Sequence, residues 1–209
     1  MPPPRRVADA LQRRRDVAVA GHVGDLELAL SHLNDPDPGV RAIALGAVHR
    51  SGGLTSGHLK AGLADADPAV RCRGLELIAA LTGQGPAADV ALLPLLDDPE
   101  DVVVETAAWA AGERIPPEFG TVARLAELAT GAEDALIREA AVAALGSLGD
   151  EAALPAILAA TTDKATVRRR AVLALAPFEG DEVDAAFERA RDDRDWQVRQ
   201  AAEDLTDPR

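Results

Sequence analysis

The chain has 209 residues, 47% of them hydrophobic, which is enough for a substantial core, and no apolar run approaches the roughly 20 residues of a membrane span. A single cysteine, Cys72, excludes an intramolecular disulfide framework and a cysteine-cluster metal site. The formal net charge of −13 argues against a protein that mainly holds phosphate backbones, since that task needs clustered Lys and Arg. The N-terminal residues lack the apolar core of a signal peptide, so we expect a cytoplasmic protein.

The first predicted element is a helix near the N-terminus, over residues 5–20. We assign residues 1–23 to a capping helix that covers the first layer of a larger domain, residues 24–209. The basic run Arg13–Arg15 is expected to face water on this helix.

One pattern then recurs six times along the chain. An Asp- and Pro-rich turn is followed by a branched aliphatic residue, the anchor, and the residue after the anchor is usually an arginine. An alanine stands four residues after the anchor, and a small or aliphatic pair stands seven and eight residues after it. The anchors are separated by 30 to 34 residues and are Val40, Val70, Val103, Ile137, Val167 and Val198. A fixed period of this length is typical of helical repeat proteins.

Each copy has room for two short helices, A and B. Helix B begins near the anchor, where the turn aspartates can cap it and where Pro38 and Pro68 need no amide donor. Helix A precedes the turn, and in the third copy Pro94 is expected to kink or shorten it. Because such a hairpin cannot bury its apolar face alone, we predict an all-α fold, an α-solenoid wound as a right-handed superhelix. The predicted repeats are about 24–52, 53–83, 84–115, 116–149, 150–180 and 181–209.

This signature, as in DPDPGVRAIALGAV at residues 35–48, resembles HEAT repeats. It is most similar to the short bacterial form known as PBS-lyase HEAT-like repeats, and the resemblance covers about residues 24–206. The 20 arginines against 2 lysines also suggest a GC-rich bacterial genome. The family consists mostly of scaffolds and adaptors, so the resemblance implies protein binding without catalysis.

In HEAT proteins, the arginine after the anchor and a turn aspartate form a ladder between layers. The resemblance therefore implies a structural ladder whose arginines are Arg41, Arg71, Arg138, Arg168 and Arg199. The aspartates placed to pair with them are Asp37, Asp67, Asp101 and Asp195. The third copy departs from the pattern, with Val104 in place of the arginine.

The turns before the B helices also hold many of the acidic residues, which cap and bend the chain there. These residues would line one edge of the solenoid, and that edge could attract a basic partner. They are Asp35, Asp37, Asp65, Asp67, Asp97, Asp98, Asp101, Asp192, Asp193 and Asp195.

A candidate partner surface lies two, three and six residues after the anchors, away from the core face of the B helices. In the family the B helices line the concave side, so these positions would face a groove. The candidate residues are Trp109, Ala143 and Leu173, flanked by Glu105, Glu139 and Arg169. An apolar strip with a charged border and a tryptophan anchor is typical of a binding surface. Alternatively, Trp109 tucks into the neighbouring layer, whereas Trp196 is expected to pack over the turn before the last B helix.

Catalytic, cofactor and metal sites are not indicated by the sequence. The four histidines all lie in the first third at spacings that match no metal-binding helix pattern. No His-Glu dipeptide occurs, unlike in the HEAT-like deoxyhypusine hydroxylases. Cys72 is expected to be a small packed residue, and the chain contains no nucleophile-elbow or phosphate-loop motif.

Three functions remain to be distinguished. The first, which we favour, is a non-enzymatic adaptor that binds a protein or peptide through the concave B-helix face or the acidic turn edge. The second is a HEAT-like alkylpurine DNA glycosylase, for which Trp109 and Trp196 would supply aromatics but two lysines and the negative charge fit poorly. The third is a tetrapyrrole lyase or its chaperone subunit, although the chain has no tyrosine and no assigned Cys or His role.

Overall fold

The computed structural model describes residues 5–206, with side chains from Asp9 onward, and the regular structure in this range is helical. This confirms the prediction of an all-α solenoid fold. The chain divides into two compact units, Met1–Ala91 and Leu92–Arg209, at the third predicted repeat. Within the described range, the helices are too short or too polar to cross a membrane.

Unit 1 contains five α-helices and a short 3₁₀ turn. They are α1 (Arg5–Val23), α2 (Leu26–Ser31), α3 (Pro38–Arg50), α4 (Ser56–Leu63), α5 (Pro68–Ala80) and the turn Gly85–Ala87. Helices α3 and α5 are the predicted B helices and pack side by side. Asp37 and Asp67 cap them, each accepting a bond from a first-turn amide, and a proline opens each helix as predicted.

Unit 2 continues the alternation of A and B helices. Its elements are a 3₁₀ turn Leu93–Asp97, α6 (Asp101–Gly112), α7 (Thr121–Gly131), α8 (Ala135–Leu148), a 3₁₀ turn Glu151–Ala153, α9 (Leu154–Ala160), α10 (Ala165–Ala174), α11 (Asp181–Arg191) and α12 (Trp196–Thr206). The B helices α6, α8, α10 and α12 contact one another in that order. The A helices α7, α9 and α11 pack against them from one side.

The third A helix is reduced to the 3₁₀ turn Leu93–Asp97. Pro94 stands in the first turn of this element, and because a proline is not tolerated further inside a helix, the helix does not extend toward the N-terminus. Leu92 and Leu96 are nonetheless buried, and the turn packs against α6. The short element therefore still covers the apolar side of its B helix.

Helix α1 behaves as an additional B helix rather than as a simple cap. It packs along α3, and Val17 joins a core with Ala29, Val40 and Val48. Arg13 donates two hydrogen bonds to the Asp35 carboxylate, at 2.7 and 3.0 Å. The expectation that Arg13–Arg15 all face water is therefore wrong for Arg13, and also for Arg14, which binds Asp37 at 2.7 Å.

An arginine–aspartate ladder joins successive B helices inside each unit. Each ladder arginine donates Nε and Nη2 to both oxygens of one carboxylate in the next turn, at 2.6–3.0 Å. The pairs are Arg13–Asp35, Arg41–Asp65, Arg138–Asp163 and Arg168–Asp193. Nη1 of Arg41, Arg71, Arg138, Arg168 and Arg199 donates instead to a carbonyl five or six residues earlier. The arginine thus ties its own turn to the following one.

The predicted aspartate partners of this ladder are wrong. Asp67 and Asp195 accept bonds from the amides of Ala69 and Gln197, so they cap helices. Asp101 is the exposed first residue of α6. Asp37 does form an ion pair, but with Arg14 of α1 rather than with a predicted ladder arginine.

The ladder carboxylates stand at the start of the turn, where they reach the preceding helix. In the turns before α3, α5 and α12, a backbone amide two residues later donates to the ladder carboxylate and holds its orientation. In the turn before α10, the amide of Lys164 does the same for Asp163. The oxygens are thereby aimed at the guanidinium group of the previous repeat.

One rung of the ladder is replaced by apolar residues on both sides. Val104 occupies the arginine position of α6 and is buried, and Ala132 stands where the next turn would supply its aspartate. Arginine and aspartate are thus absent together between α6 and α8. These two helices pack closely along their length, and Ser147 Oγ donates to the carbonyl of Gly112 at 3.0 Å.

Small residues allow this close packing of successive B helices. A Cβ added at Gly112 would lie 2.8 Å from Cα of Ala144, and one at Gly146 would lie 2.6 Å from Cα of Ala174. Gly21 of α1 is equally close to the backbone of Ala47. Protein interiors are dense enough that such contacts leave no space for a methyl group.

We predict that acid weakens the fold through the ladder. Hydrogen bonds from the ladder arginines lower the pKa of Asp35, Asp65, Asp163 and Asp193 below its ordinary value. A carboxylate with a lowered pKa stabilises the fold above its unfolded pKa of about 3.9, and this stabilisation is lost as the pH falls through the folded pKa. Urea unfolding between about pH 5 and pH 2 should therefore show a falling midpoint. Asp163→Asn, which cannot titrate, should show a shallower decline, and an equal decline would contradict the prediction.

Candidate functional site

The B-helix face of unit 2 carries the predicted partner residues. We define this face by the positions two, three, six and ten residues after the anchor on α6, α8 and α10. Trp109 lies at its α6 end with 46% of its surface exposed, which resolves the alternatives that the sequence left open. Glu105 is half-buried one turn before it on the same helix.

A shallow depression of about 500 Å³ lies on this face between α8 and α10. Ala143 and Leu173, both predicted, line it together with Ser147 and Arg170. Ala143 is in register with Trp109, since both stand six residues after the anchors of two helices that pack together. The depression has an apolar floor and one charged side chain at its border.

Charges on this face change sign from α6 to α10. Glu139 of α8 accepts a hydrogen bond from Arg170 of α10 at 3.4 Å. Arg169 is exposed, as its place in the partner surface requires. The face therefore presents carboxylates at Glu105 and Glu139 and a guanidinium group at Arg169. The sequence analysis did not include Arg170 among the candidate partner residues. Its position, three residues after the anchor, nevertheless indicated that it lies on this face.

The acidic turn edge is largely occupied by contacts within the chain. Asp35, Asp65 and Asp193 belong to the ladder, and Asp67 and Asp195 cap helices. In addition, Asp97 pairs with Arg124 at 2.8 Å. Few of these carboxylates are left to attract a basic partner.

Trp196, the other tryptophan, opens α12 and is 64% exposed. The expectation that it packs over the preceding turn is therefore wrong. It lies at the start of a helix rather than on the B-helix face of unit 2. Its exposure makes it a suitable reference for Trp109.

Side chains that could ligate a metal or act as nucleophiles are dispersed through the described residues. Within residues 9–206, His, Cys, Asp and Glu form no group of three that could hold a metal ion. Cys72 is a half-buried cysteine on α5 that is not part of a disulfide. His58 uses Nδ1 to accept the amide of Thr55 in a capping box at the start of α4.

Unit 1 has a B-helix face of its own, which the sequence analysis did not identify. A depression of about 330 Å³ there is lined by Ala18 of α1, Ala42, Ile43 and Arg50 of α3, and Arg73 of α5. One signal in the sequence could have revealed it. Gly46 stands in the middle of α3, where glycine is unfavourable unless a neighbour needs the space.

Solved structures similar to this chain include designed armadillo repeat proteins. A designed armadillo repeat protein in complex with the peptide (KR)4 has a TM-score of 0.65 and 20% identity, covering 85% of this chain and 96% of that one. An engineered protein has a TM-score of 0.63 at 18% identity, covering 86% and 94%. A computationally designed armadillo repeat protein for modular peptide recognition has a TM-score of 0.61 at 20% identity, covering 85% and 97%. At this identity, the likeness supports the solenoid fold alone.

Sequence comparison gives the family. No curated protein matches the chain. The sequence profile of HEAT repeats matches residues 89–176 and 122–205, which together exceed half of the chain. These matched segments contain α6 to α12 and their repeated anchors. The chain belongs to the HEAT-repeat family.

Proposed function

We propose that this protein is a non-enzymatic adaptor that binds a peptide segment of its partner on the B-helix face of unit 2. The observation that carries the proposal is the exposed side chain of Trp109 in the middle of α6. Tryptophan is enriched among the residues that dominate binding energy, and a large aromatic ring left in water gains by being covered. Its neighbours on both sides along α6, Ala107, Ala108, Ala110 and Ala111, are alanines.

The surroundings of Trp109 support a peptide rather than a small molecule. The depression between α8 and α10 is shallow and open and offers Ala143 and Leu173 as an apolar floor. Glu105, Glu139 and Arg169 provide a charged border, as in interfaces with an apolar centre and a polar rim. A peptide that crosses the helices would place an apolar side chain on the floor, a basic one near Glu105 and an acidic one near Arg169.

The likeness to designed repeat proteins supports the same view. One of them is in complex with the peptide (KR)4, and another is described as made for modular peptide recognition. The fold therefore suits extended peptides. The turn edge fits less well as the binding surface, because its carboxylates are held by the ladder and by helix caps. On the family resemblance, we place this adaptor among the short bacterial HEAT-like proteins of the cytoplasm.

The proposal predicts that Trp109→Ala abolishes most of the binding. Peptides would first be selected on the wild-type chain from a displayed random library, and their affinities then measured by fluorescence anisotropy. We expect Trp109→Ala to weaken them by about 30-fold, which corresponds to a contribution of about 2 kcal/mol. Trp196→Ala removes a tryptophan that is more exposed and lies away from this face, and it should leave the affinities unchanged. Unchanged affinity in Trp109→Ala, or an equal loss in both variants, would overturn the proposal.

A further inference from the structure

The B-helix face of unit 1 is basic, although the chain as a whole carries a net charge of −13. We define this face, as in unit 2, by the positions two, three, six and ten residues after the anchor on α1, α3 and α5. Helix α1 is aligned by taking Arg13 as the equivalent of Arg41, the residue directly after the anchor of α3. Its residues are Arg14, Arg15, Ala18, His22, Ala42, Ile43, Gly46, Arg50, Cys72, Arg73, Glu76 and Ala80. Four arginines therefore share this face with the carboxylate of Glu76, and one of them, Arg14, is paired with Asp37 of the turn before α3. The other acidic residues of the unit lie elsewhere, mainly in the turns.

Two of these arginines rest on glycines of the preceding helix. A Cβ at Gly46 would collide with the guanidinium group of Arg73, and one at Gly21 would lie 2.8 Å from Nη2 of Arg50. Glycine inside a helix costs about 1 kcal/mol relative to alanine, so its presence calls for a reason. Here the missing methyl group provides the space in which a planar guanidinium group lies against the helix.

The same two arginines border the depression in this face. Ala18, Ala42 and Ile43 form its apolar floor. Among the described residues, Arg50 has no carboxylate partner, whereas Arg73 donates Nη1 to Glu76 at 2.7 Å. Arg15 is exposed and likewise has no carboxylate partner in that range. Arg50 and Arg15 are therefore the guanidinium groups of this face that are not neutralised within the described residues, and guanidinium groups bind carboxylates strongly, often through two parallel bonds.

We propose that this face binds an acidic peptide segment, with carboxylates on Arg50 and Arg73 and an aliphatic side chain on the floor formed by Ala18, Ala42 and Ile43. The charge of the face selects an anionic ligand. The apolar floor and the carboxylate of Glu76 favour a peptide over a nucleic acid, whose continuous phosphates would need more cations and no acidic neighbour. The site goes beyond the function proposed for unit 2, because it lies in another unit and selects an acidic ligand, whereas the unit 2 face carries both signs of charge.

The test uses a fluorescein-labelled ten-residue peptide of alternating Glu and Leu, and its binding to the full chain is followed by anisotropy. We expect the double variant Arg50→Ala/Arg73→Ala to weaken binding at least about tenfold. The matched control, Arg189→Ala/Arg194→Ala, removes two exposed arginines of unit 2 and should bind as the wild type does. Binding should also weaken between low and physiological salt, since exposed charges are screened.

A second variant distinguishes the effect of the position of the Arg73 guanidinium group from the effect of its charge. Gly46→Ala keeps every charge but displaces the Arg73 guanidinium group, and it should reduce binding by about threefold without loss of helical content. Circular dichroism of all variants checks the fold, and Trp109→Ala should bind this peptide normally, which keeps the two proposals distinguishable. Equal binding by the double variant and its control, or by a peptide with Lys in place of Glu, would overturn the proposal. Tighter binding of duplex DNA than of the peptide, lost in the double variant, would replace it with a nucleic-acid site.

Discussion

Replacing Asp193 with alanine is expected to lower the free energy of unfolding by about 3 kcal/mol. Asp193 accepts two bonds from Arg168, at 2.7 and 2.8 Å, and only 7% of the Arg168 side chain is exposed. Loss of the carboxylate leaves a buried guanidinium group without a counter-charge, and this desolvation penalty is larger than the net contribution of the pair. The neighbouring Asp192→Ala changes an exposed turn residue and should shift stability by less than about 0.5 kcal/mol.

The companion variant removes both partners of the rung. Arg168→Val/Asp193→Ala reproduces at this rung the pair Val104 and Ala132 that the chain already uses between α6 and α8. Because no charge then remains buried, we expect the double variant to recover at least half of the stability lost by Asp193→Ala. Urea unfolding followed by circular dichroism measures Asp193→Ala, Arg168→Val and the double variant, and the three losses of stability give the coupling energy of the pair. Additive losses in the double variant would show that the rung acts as two independent contacts.

Much of the fold was predictable because the repeat imposes the same constraints in every copy. The anchors Val40, Val70, Val103, Val167 and Val198 are all buried, as a helical face that recurs every 30 to 34 residues requires. The prolines and aspartates at the B-helix starts also have the predicted positions. Local chemistry and periodicity agree at these places, so the sequence alone suffices.

The ladder shows where sequence reasoning fails. Each of the turns before α3 and α5 carries two aspartates, and either could reach an arginine or cap a helix. The choice depends on which carboxylate faces the preceding helix, which is a property of the turn geometry. The absent rung was nevertheless readable, since Val104 and Ala132 depart from the pattern at matching positions.

The candidate sites were likewise predictable only in part from the sequence. The exposure of Trp109 is one of the two alternatives that its helical position allowed, and the place of Arg170 at the border of the depression required the packing of α8 against α10. In unit 1, Gly46 explains how Arg73 can lie on α3, but a glycine in a helix does not name the side chain that fills its space. Most pairs of the ladder recur at a separation of 24 or 25 residues, but the contacts between repeats on these two faces do not follow the repeat period.

Gly146→Ala is expected to destabilise the protein by about 2 kcal/mol, although the same change inside an exposed helix would stabilise it. The added Cβ would lie 2.6 Å from Cα and Cβ of Ala174 and 3.0 Å from its carbonyl oxygen. Because two of these atoms belong to the backbone of α10, relief requires α8 and α10 to move apart. The separation would weaken contacts along both helices, so the packing loss exceeds the gain in helix propensity of about 1 kcal/mol.

Gly131→Ala is the matched control, since Gly131 ends α7 and a Cβ there would meet nothing within 4 Å. This variant should be neutral or more stable, because alanine loses less backbone entropy on folding. Urea midpoints of the two variants against the wild type provide the comparison. If Gly146→Ala proved as stable as Gly131→Ala, α8 and α10 could not be packed backbone to backbone. That result would contradict the close contact between α8 and α10. The shape of the depression lined by Ala143 and Leu173 depends on this contact.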